Sequence, residues 1–179
     1  RGRRGEANGG AFVALARTLG VALASHDDTT AAHVDEAHAL GASICEFPTT
    51  LEAARRAADL GLLTLGGAPN LLRGHSHAGN VPVAALVEAG VLDALSSDYV
   101  PATLLAAAWT LARCSLAQPA DAARLPQAIA KVSRAPARAV GLHDRGEIAP
   151  GLRADLVRVR EVAGQPVVLG VWRGGRRVA

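Results

Sequence analysis

Val21-Ala22-Leu23-Ala24-Ser25-His26-Asp27-Asp28 is the stretch that decides the fold: an apolar run stops abruptly at a hydroxyl, an imidazole and two carboxylates. The same event recurs along the chain. Ala42-Ser43-Ile44-Cys45 runs into Glu46-Phe47-Pro48-Thr49-Thr50, Leu62-Leu63-Thr64-Leu65 leads to Ala68-Pro69-Asn70, and Val91-Leu92-Asp93-Ala94-Leu95 leads to Ser96-Ser97-Asp98-Tyr99. Each apolar run reads as a short strand, and helix-patterned segments fill the gaps. Repeated β-then-α units imply a parallel sheet, because parallel neighbours need a crossover. In such sheets ligands gather at the carboxyl ends of the strands, which is where the polar clusters lie.

The punctuation supports this reading. Helices are predicted over Gly10 to Leu19, from an Asp28 or Thr29 cap to Leu40, from a Thr49 or Thr50 cap over Leu51 to Leu60, from Pro82 to Gly90 and from Pro101 to Leu111. Gly at helix ends and Thr, Asp or Pro at helix starts is the expected chemistry. Residues 1–8 read as a charged lead-in, and Gly67 to Asn80 as the longest irregular stretch. Beyond Ala120 come two short helices, Leu125 to Val132 and Ala135 to Val140. They are followed by β-like segments Asp155 to Arg160, Pro166 to Trp172 and Arg176 to Ala179, with turns at Ala163-Gly164-Gln165 and Gly174-Gly175. Four βα units make half of an eight-stranded barrel. The pattern alone admits either the second half of a (β/α)8 barrel or a doubly wound α/β sheet, with a small antiparallel module after it.

Composition narrows the function classes. Of the 19 basic residues only Lys131 is a lysine, and the net charge is +3. Much of that charge lies at the ends, in Arg1 to Arg4 and Arg173 to Arg177. A nucleic-acid surface needs a basic face interleaved with aromatics, and two Trp, one Tyr and two Phe do not supply it. An anionic small substrate suits the mild positive balance. Cys45 and Cys114 are far apart and in no metal spacing, and Cys45 is expected to be a buried, reduced thiol. No apolar stretch approaches the roughly 20 residues of a membrane span. A cytoplasmic protein is therefore expected, with no membrane partner. The chain starts at Arg1 and contains no Met, so it is expected to be part of a larger domain.

The clusters offer specific chemistry. His26 at a strand end can present neutral imidazole to zinc or manganese, or act as an ordinary hydrogen-bonding histidine. Asp27 and Asp28 can orient His26 or bind metal, and Asp28 can equally be an N-cap. Asp98 can bind a metal and take the proton of an attacking water, or serve only as a turn residue. Arg73-Gly74-His75-Ser76-His77-Ala78-Gly79-Asn80 can wrap phosphate oxygens with Arg, His and backbone N–H groups, or be a plain surface loop. It lacks the Lys-Ser/Thr ending of a Walker loop. His33, His38 and His143 are assigned no chemical role.

Ala24 through Thr30, Glu46 through Thr50, Gly67 through Asn70, Arg73 through Asn80, and Ser96 through Tyr99 with Pro101 resemble, in this order, the phosphonate-metabolism amidohydrolases of the carbon–phosphorus lyase pathway. Gly146-Glu147-Ile148, Gly151, Ala154-Asp155-Leu156-Val157 and Val171-Trp172 resemble the end of amidohydrolase chains generally. The resemblance implies a metal-dependent barrel hydrolase that cuts the 5-triphosphate of a ribose 1-phosphonate, releasing diphosphate and leaving a 5-phosphate. It places strands five to eight of the barrel in residues 1–140 and strands of a small composite β-sandwich in 141–179. It makes His26 a metal ligand on the fifth strand and Asp98 a ligand and base on the eighth. Arg73 and His77 would hold phosphate, Asn70 and Tyr99 would line the site, and Asp27, Asp28 and Glu46 would stand behind it. Glu46 replaces the sixth-strand His of more typical members, and its contact with metal stays open. Zinc is the expected ion, with manganese or another divalent ion as alternatives, and a homodimer is compatible with the family. Other readings are an amidohydrolase acting on a C–N bond, which the Arg73 to Asn80 loop disfavours, and a non-catalytic α/β module that binds a phosphorylated metabolite.

Family members also take metal ligands from a His-x-His or His-x-Asp pair on the first strand and usually from the third or fourth, and neither region corresponds to these residues. The 179 residues expressed alone are therefore expected to be inactive and poorly soluble. Turnover by the isolated chain would contradict that.

Overall fold

The computed structural model describes residues 2–76, 79–113 and 124–179, with side chains from residue 9 onward. Helix α1 (Gly2–Leu19) precedes β1 (Leu23–His26), α2 (Ala31–Leu40), β2 (Ala42–Glu46), α3 (Leu51–Asp59), β3 (Leu63–Gly67), α4 (Ala68–Arg73), α5 (Val83–Glu88), β4 (Ala94–Ser96) and α6 (Thr103–Arg113). The four strands form one parallel sheet in the order β1-β2-β3-β4. His26 pairs with Glu46, Glu46 with Leu65, and Leu65 with Ala94, so the strand ends are aligned laterally.

Two buried clusters join the strands to the helices. Cys45 packs with Val34 of α2 and with Ala53 and Ala57 of α3, and Leu62 closes the cluster. A second cluster joins Leu71, Val83, Leu86, Leu92, Leu95 and Ala107. Alanine on the inner face of α3 lets the helix lie close to the strands; Ala53, Ala54 and Ala57 are all fully buried. In β1 the burial alternates instead, with His26 exposed and Ser25 half-buried. That is the period-two signature of a strand whose faces meet different surroundings.

Several boundaries depart from the sequence reading. Residues 2–8 of the lead-in belong to α1, which begins at Gly2. The cap of α2 is Thr30, whose hydroxyl accepts from the His33 amide at 3.3 Å, rather than Asp28 or Thr29. Asp28 is occupied elsewhere, as described below. Thr50 caps α3 by accepting from the Ala53 amide at 3.1 Å. The stretch from Gly67, read as irregular, contains α4, which has Pro69 in its first turn and is closed by Gly74 at φ +79°. Strand β4 starts only at Ala94, because the Val91 amide still bonds back to Leu86 in the turn after α5.

After α7 (Arg124–Ala130) and α8 (Arg134–Ala139), strands β5 (Leu156–Val162), β6 (Gln165–Arg173) and β7 (Arg176–Arg177) form an antiparallel sheet. Its turns place Ala163 and Gly164 at φ +47° and +79°, and Gly174 and Gly175 at +56° and +78°. Positive φ at both central residues matches the twist of a tight hairpin. Glu161 ties this sheet to α6, accepting from Trp109 Nε1 at 3.0 Å and from Arg113 at 2.5 Å. Among the described residues no helix is long and apolar enough to cross a membrane.

Gly66 shows how tightly α5 is set against β3. A Cβ there would lie 2.8 Å from Leu92 Cδ1 and 3.2 Å from Val83 Cγ2. Gly66→Val is therefore expected to destabilise the protein by roughly 1–3 kcal/mol through overpacking. The loss should appear as a lower urea midpoint at unchanged slope, and an unchanged midpoint would contradict this packing.

Candidate functional site

The strand ends carry unusual backbone. Asp27, Phe47 and Asp98 have φ of +59°, +53° and +51°, a region that costs a side-chain-bearing residue roughly 1–2 kcal/mol. Asp tolerates it better than an aromatic does. At two of the three the sheet ladder runs one step further before the chain turns. The Asp27 amide donates to the Glu46 carbonyl at 3.0 Å, and the Phe47 amide to the Leu65 carbonyl at 2.9 Å. At the third, the Asp98 amide donates to Ser96 Oγ at 3.1 Å. Strained backbone held by hydrogen bonds at the carboxyl ends of parallel strands is a recognised mark of a working site.

A cleft of about 190 Å³ opens there, with Asp27, Asn70, Arg73, Asp98 and Tyr99 on its walls. Asp98 is exposed, and among the described residues its carboxylate accepts no hydrogen bond. The Arg73 guanidinium donates to the Tyr99 hydroxyl at 2.6 Å and lies 5.6 Å from its ring centre. The tyrosine thus carries a cation at its polar end. Asn70 turns partly inward: its Oδ1 accepts from the Val83 amide at 3.0 Å and so fixes the start of α5.

His26 and Glu46 do not line this cleft. His26 adjoins it through two wall residues. Its Nδ1 lies 3.1 Å from Asp27 Oδ2, and its ring meets Phe47 edge-on at 5.4 Å and 77°. Glu46 stands beside His26 as its register partner. Asp28 is not aimed at the imidazole, which corrects that part of the sequence reading. Its buried carboxylate accepts from Ser25 Oγ at 2.5 Å and from Cys45 Sγ at 3.4 Å. His77 lies outside the described residues, as does Cys114. Phe47, His75, Ser76 and Asn80 also line the cleft and were given no individual role from the sequence. His75, Ser76 and Asn80 lie within the Arg73 to Asn80 loop singled out above. Phe47 carries no chemistry-bearing group that would mark it.

Burial pushes the Cys45 thiol up to about 12, helped by the Asp28 charge and by its hydrogen bond to Asp28, with the Ser25 hydrogen bond opposing. Cys45 is therefore a protonated packing group near neutral pH, neither nucleophile nor thiolate ligand. His26 and Asp98 are donors of the kind a zinc-type ion takes. Among the described residues, however, no group of three His, Cys, Asp or Glu converges on one point. The donors fit such an ion in kind but not in number, and a complete shell needs donors beyond these.

Residues 9–179 match the profile of the amidohydrolase family. The chain is 47% identical over 176 residues to the α-D-ribose 1-methylphosphonate 5-triphosphate diphosphatase of Escherichia coli (strain K12); the match covers 98% of this chain and 46% of that protein. Thus the chain spans under half the length of this curated relative. Among solved structures, an amidohydrolase from Thermotoga maritima MSB8 superposes with a TM-score of 0.65 at 22% identity, over 88% of this chain and 43% of that one. The A. niger ochratoxinase superposes with a TM-score of 0.63 at 19% identity, over 94% and 44%. At these identities the two structures speak for the α/β fold.

The Cys45 environment has a measurable consequence. The folded thiol titrates above its ordinary value of 9.0, so its contribution to stability is complete below about pH 9 and is lost as pH rises toward 12. In a Cys114→Ser background, Cys45 is expected to resist a disulfide reagent at pH 8 in the native protein and to react at once after unfolding. Fast reaction in the native state would contradict the burial.

Proposed function

This chain belongs to the amidohydrolase family, and we propose that it works in a hydrolase that releases diphosphate from α-D-ribose 1-methylphosphonate 5-triphosphate and leaves the 5-phosphate. One structural observation carries the reading: an open carboxylate, Asp98, shares a strand-end cleft with the Arg73–Tyr99 pair. The relative of that activity, 47% identical along nearly the whole chain, supports it. Because the chain spans 46% of that relative, the activity is assigned to the full-length protein. A cytoplasmic location, a homodimer and an anionic sugar phosphonate as substrate belong to the same reading.

The architecture extends it. We read residues 1–140 as the second half of a (β/α)8 barrel and 141–179 as strands of a small composite β-sandwich. Two features support this. Among the described residues the sheet ends at β1 and β4 without closing, and open edges of parallel sheets are normally covered. An apolar groove of about 1400 Å³ separates α6 and α7 from the tail sheet, and Ile148 is 88% exposed on it. Apolar surface of that extent generally serves packing.

The chain's own residues then divide the work. Arg73 offers a planar donor fork to phosphate oxygens. The Tyr99 hydroxyl, which accepts from Arg73, stands beside that fork on the same wall, and the pair steadies the charge that builds as the anhydride breaks. Asp98 takes the proton of the attacking water. Asp27 Oδ2, 3.1 Å from His26 Nδ1, is placed to hold the ring's orientation while Nε2 meets a ligand. Family members generally use divalent metals. When bound, such an ion, zinc in our reading with manganese the alternative, supplies a water of lowered pKa and screens phosphate charge. His26 and Asp98 are the residues of this chain that would hold it.

In the full-length protein, Asp98→Asn is expected to lower kcat for diphosphate release by about 10²–10⁴-fold. Arg73→Ala is expected to act mainly on KM, since it removes a substrate contact. Undiminished kcat in Asp98→Asn would overturn the assignment, and turnover of a C–N substrate in its place would favour an amide hydrolase.

A further inference from the structure

We propose that Asp28 is a positioning residue that holds His26 and Glu46 in place through the residues that precede them. The proposal rests on reading the strand-end site as hydrolytic. Asp28 is 7% exposed, and one oxygen, Oδ2, accepts from both Ser25 Oγ and Cys45 Sγ, at 2.5 and 3.4 Å. Ser25 and Cys45 are register partners, and the next pair is His26 and Glu46. Successive strand residues project to opposite sides. A carboxylate that grips Ser25 and Cys45 on the helix side therefore fixes, one peptide unit further along each strand, where the imidazole and Glu46 stand on the open side.

The backbone of Asp28 tightens the same clamp. Its carbonyl accepts from the Thr49 amide at 2.8 Å and from Thr49 Oγ1 at 3.3 Å, so the loop after β1 is held to the loop after β2. Packing gives no reason for a carboxylate here. The donors to its side chain are a hydroxyl and a thiol, both neutral, and among the described residues it forms no ion pair. A buried carboxylate with no cation beside it is costly to take out of water. What the carboxylate adds is a single acceptor shared between two strands, and hence a fixed lateral spacing of the two residues that follow.

The test uses the full-length protein with Asp28→Ala, Asp28→Asn and the pair Ser25→Ala/Cys45→Ala. Four quantities are read: kcat and KM for diphosphate release, the thermal midpoint, and the His26 ring resonance in protein labelled with ¹³C-histidine, assigned by its loss in His26→Gln. Asp28→Ala is expected to lower kcat about 10–100-fold, the usual cost of losing a group that orients a ligand. KM should stay nearly unchanged and the His26 resonance should move. Asp28→Asn, which keeps an acceptor, should recover part of the loss, and the Ser25/Cys45 pair should shift the resonance in the same sense. A lowered midpoint with kcat and the His26 resonance both unmoved would overturn the proposal and leave Asp28 a core polar group. If Asp28→Ala does not fold, the Ser25/Cys45 pair decides: a moved resonance supports the proposal and an unmoved one overturns it. If the unmutated protein releases no diphosphate, the functional reading fails, while the resonance shifts still decide the positioning role.

Discussion

The hydroxyl of Thr50 serves two chain segments at once. It donates to the Thr29 carbonyl at 2.7 Å and accepts from the Ala53 amide at 3.1 Å, so one oxygen caps α3 and ties the loop after β2 to the loop after β1. Around it, Thr49 Oγ1 meets Thr29 Oγ1 at 2.9 Å, the Thr49 amide reaches Asp28, and the Val81 amide reaches the Thr49 carbonyl at 2.9 Å. Successive strand-end loops are thereby laced together above the sheet. The constraint matters because side-chain direction along a strand has a period of two. A slip of one residue in β1 would turn His26 toward the helices and Ser25 toward the open side. The lacing holds the register that keeps every candidate group on the side where it can meet a ligand.

The same side chain plays opposite parts on the two sides of this sheet. Asp28 is buried with its donors supplied, and contributes to order. Asp98 is exposed on strained backbone with no donor among the described residues, and contributes nothing evident to stability. Cys45 follows Asp28, its thiol held protonated by burial. His26 follows Asp98, its imidazole exposed beside Asp27 and Phe47. Three left-handed residues cost a few kcal/mol together, each roughly 1–2, and the bonds that cross between loops offset that cost. Strain kept where stability gains nothing is the physical argument that this rim is for chemistry.

Strand ends, helix caps and the run of βα units were legible because they depend on local chemistry: Thr50 before a helix, Gly41 after one, apolar runs stopping at polar clusters. The two hairpin turns of the tail were legible for the same reason. What spacing could not reveal was direction. Asp27 and Asp28 are neighbours of identical type, yet Asp27 sits in the left-handed region and faces the imidazole, while Asp28 swings back to the helix side. Helix α4 was missed because its six residues, between Gly67 and Gly74, are too few to show a helical period. Phe47 was missed as a wall of the cleft because an aromatic in a polar cluster reads as packing.

We propose that in the full-length protein these strand ends take part in breaking one phosphoric anhydride bond of a sugar triphosphate. ³¹P NMR of the full-length protein with α-D-ribose 1-methylphosphonate 5-triphosphate tests it most directly, because it identifies products without an assumed chemistry. The triphosphate signals should give way to free diphosphate and a 5-phosphate monoester, with the phosphonate resonance intact. Persistence of the triphosphate, or release of orthophosphate in place of diphosphate, would contradict it.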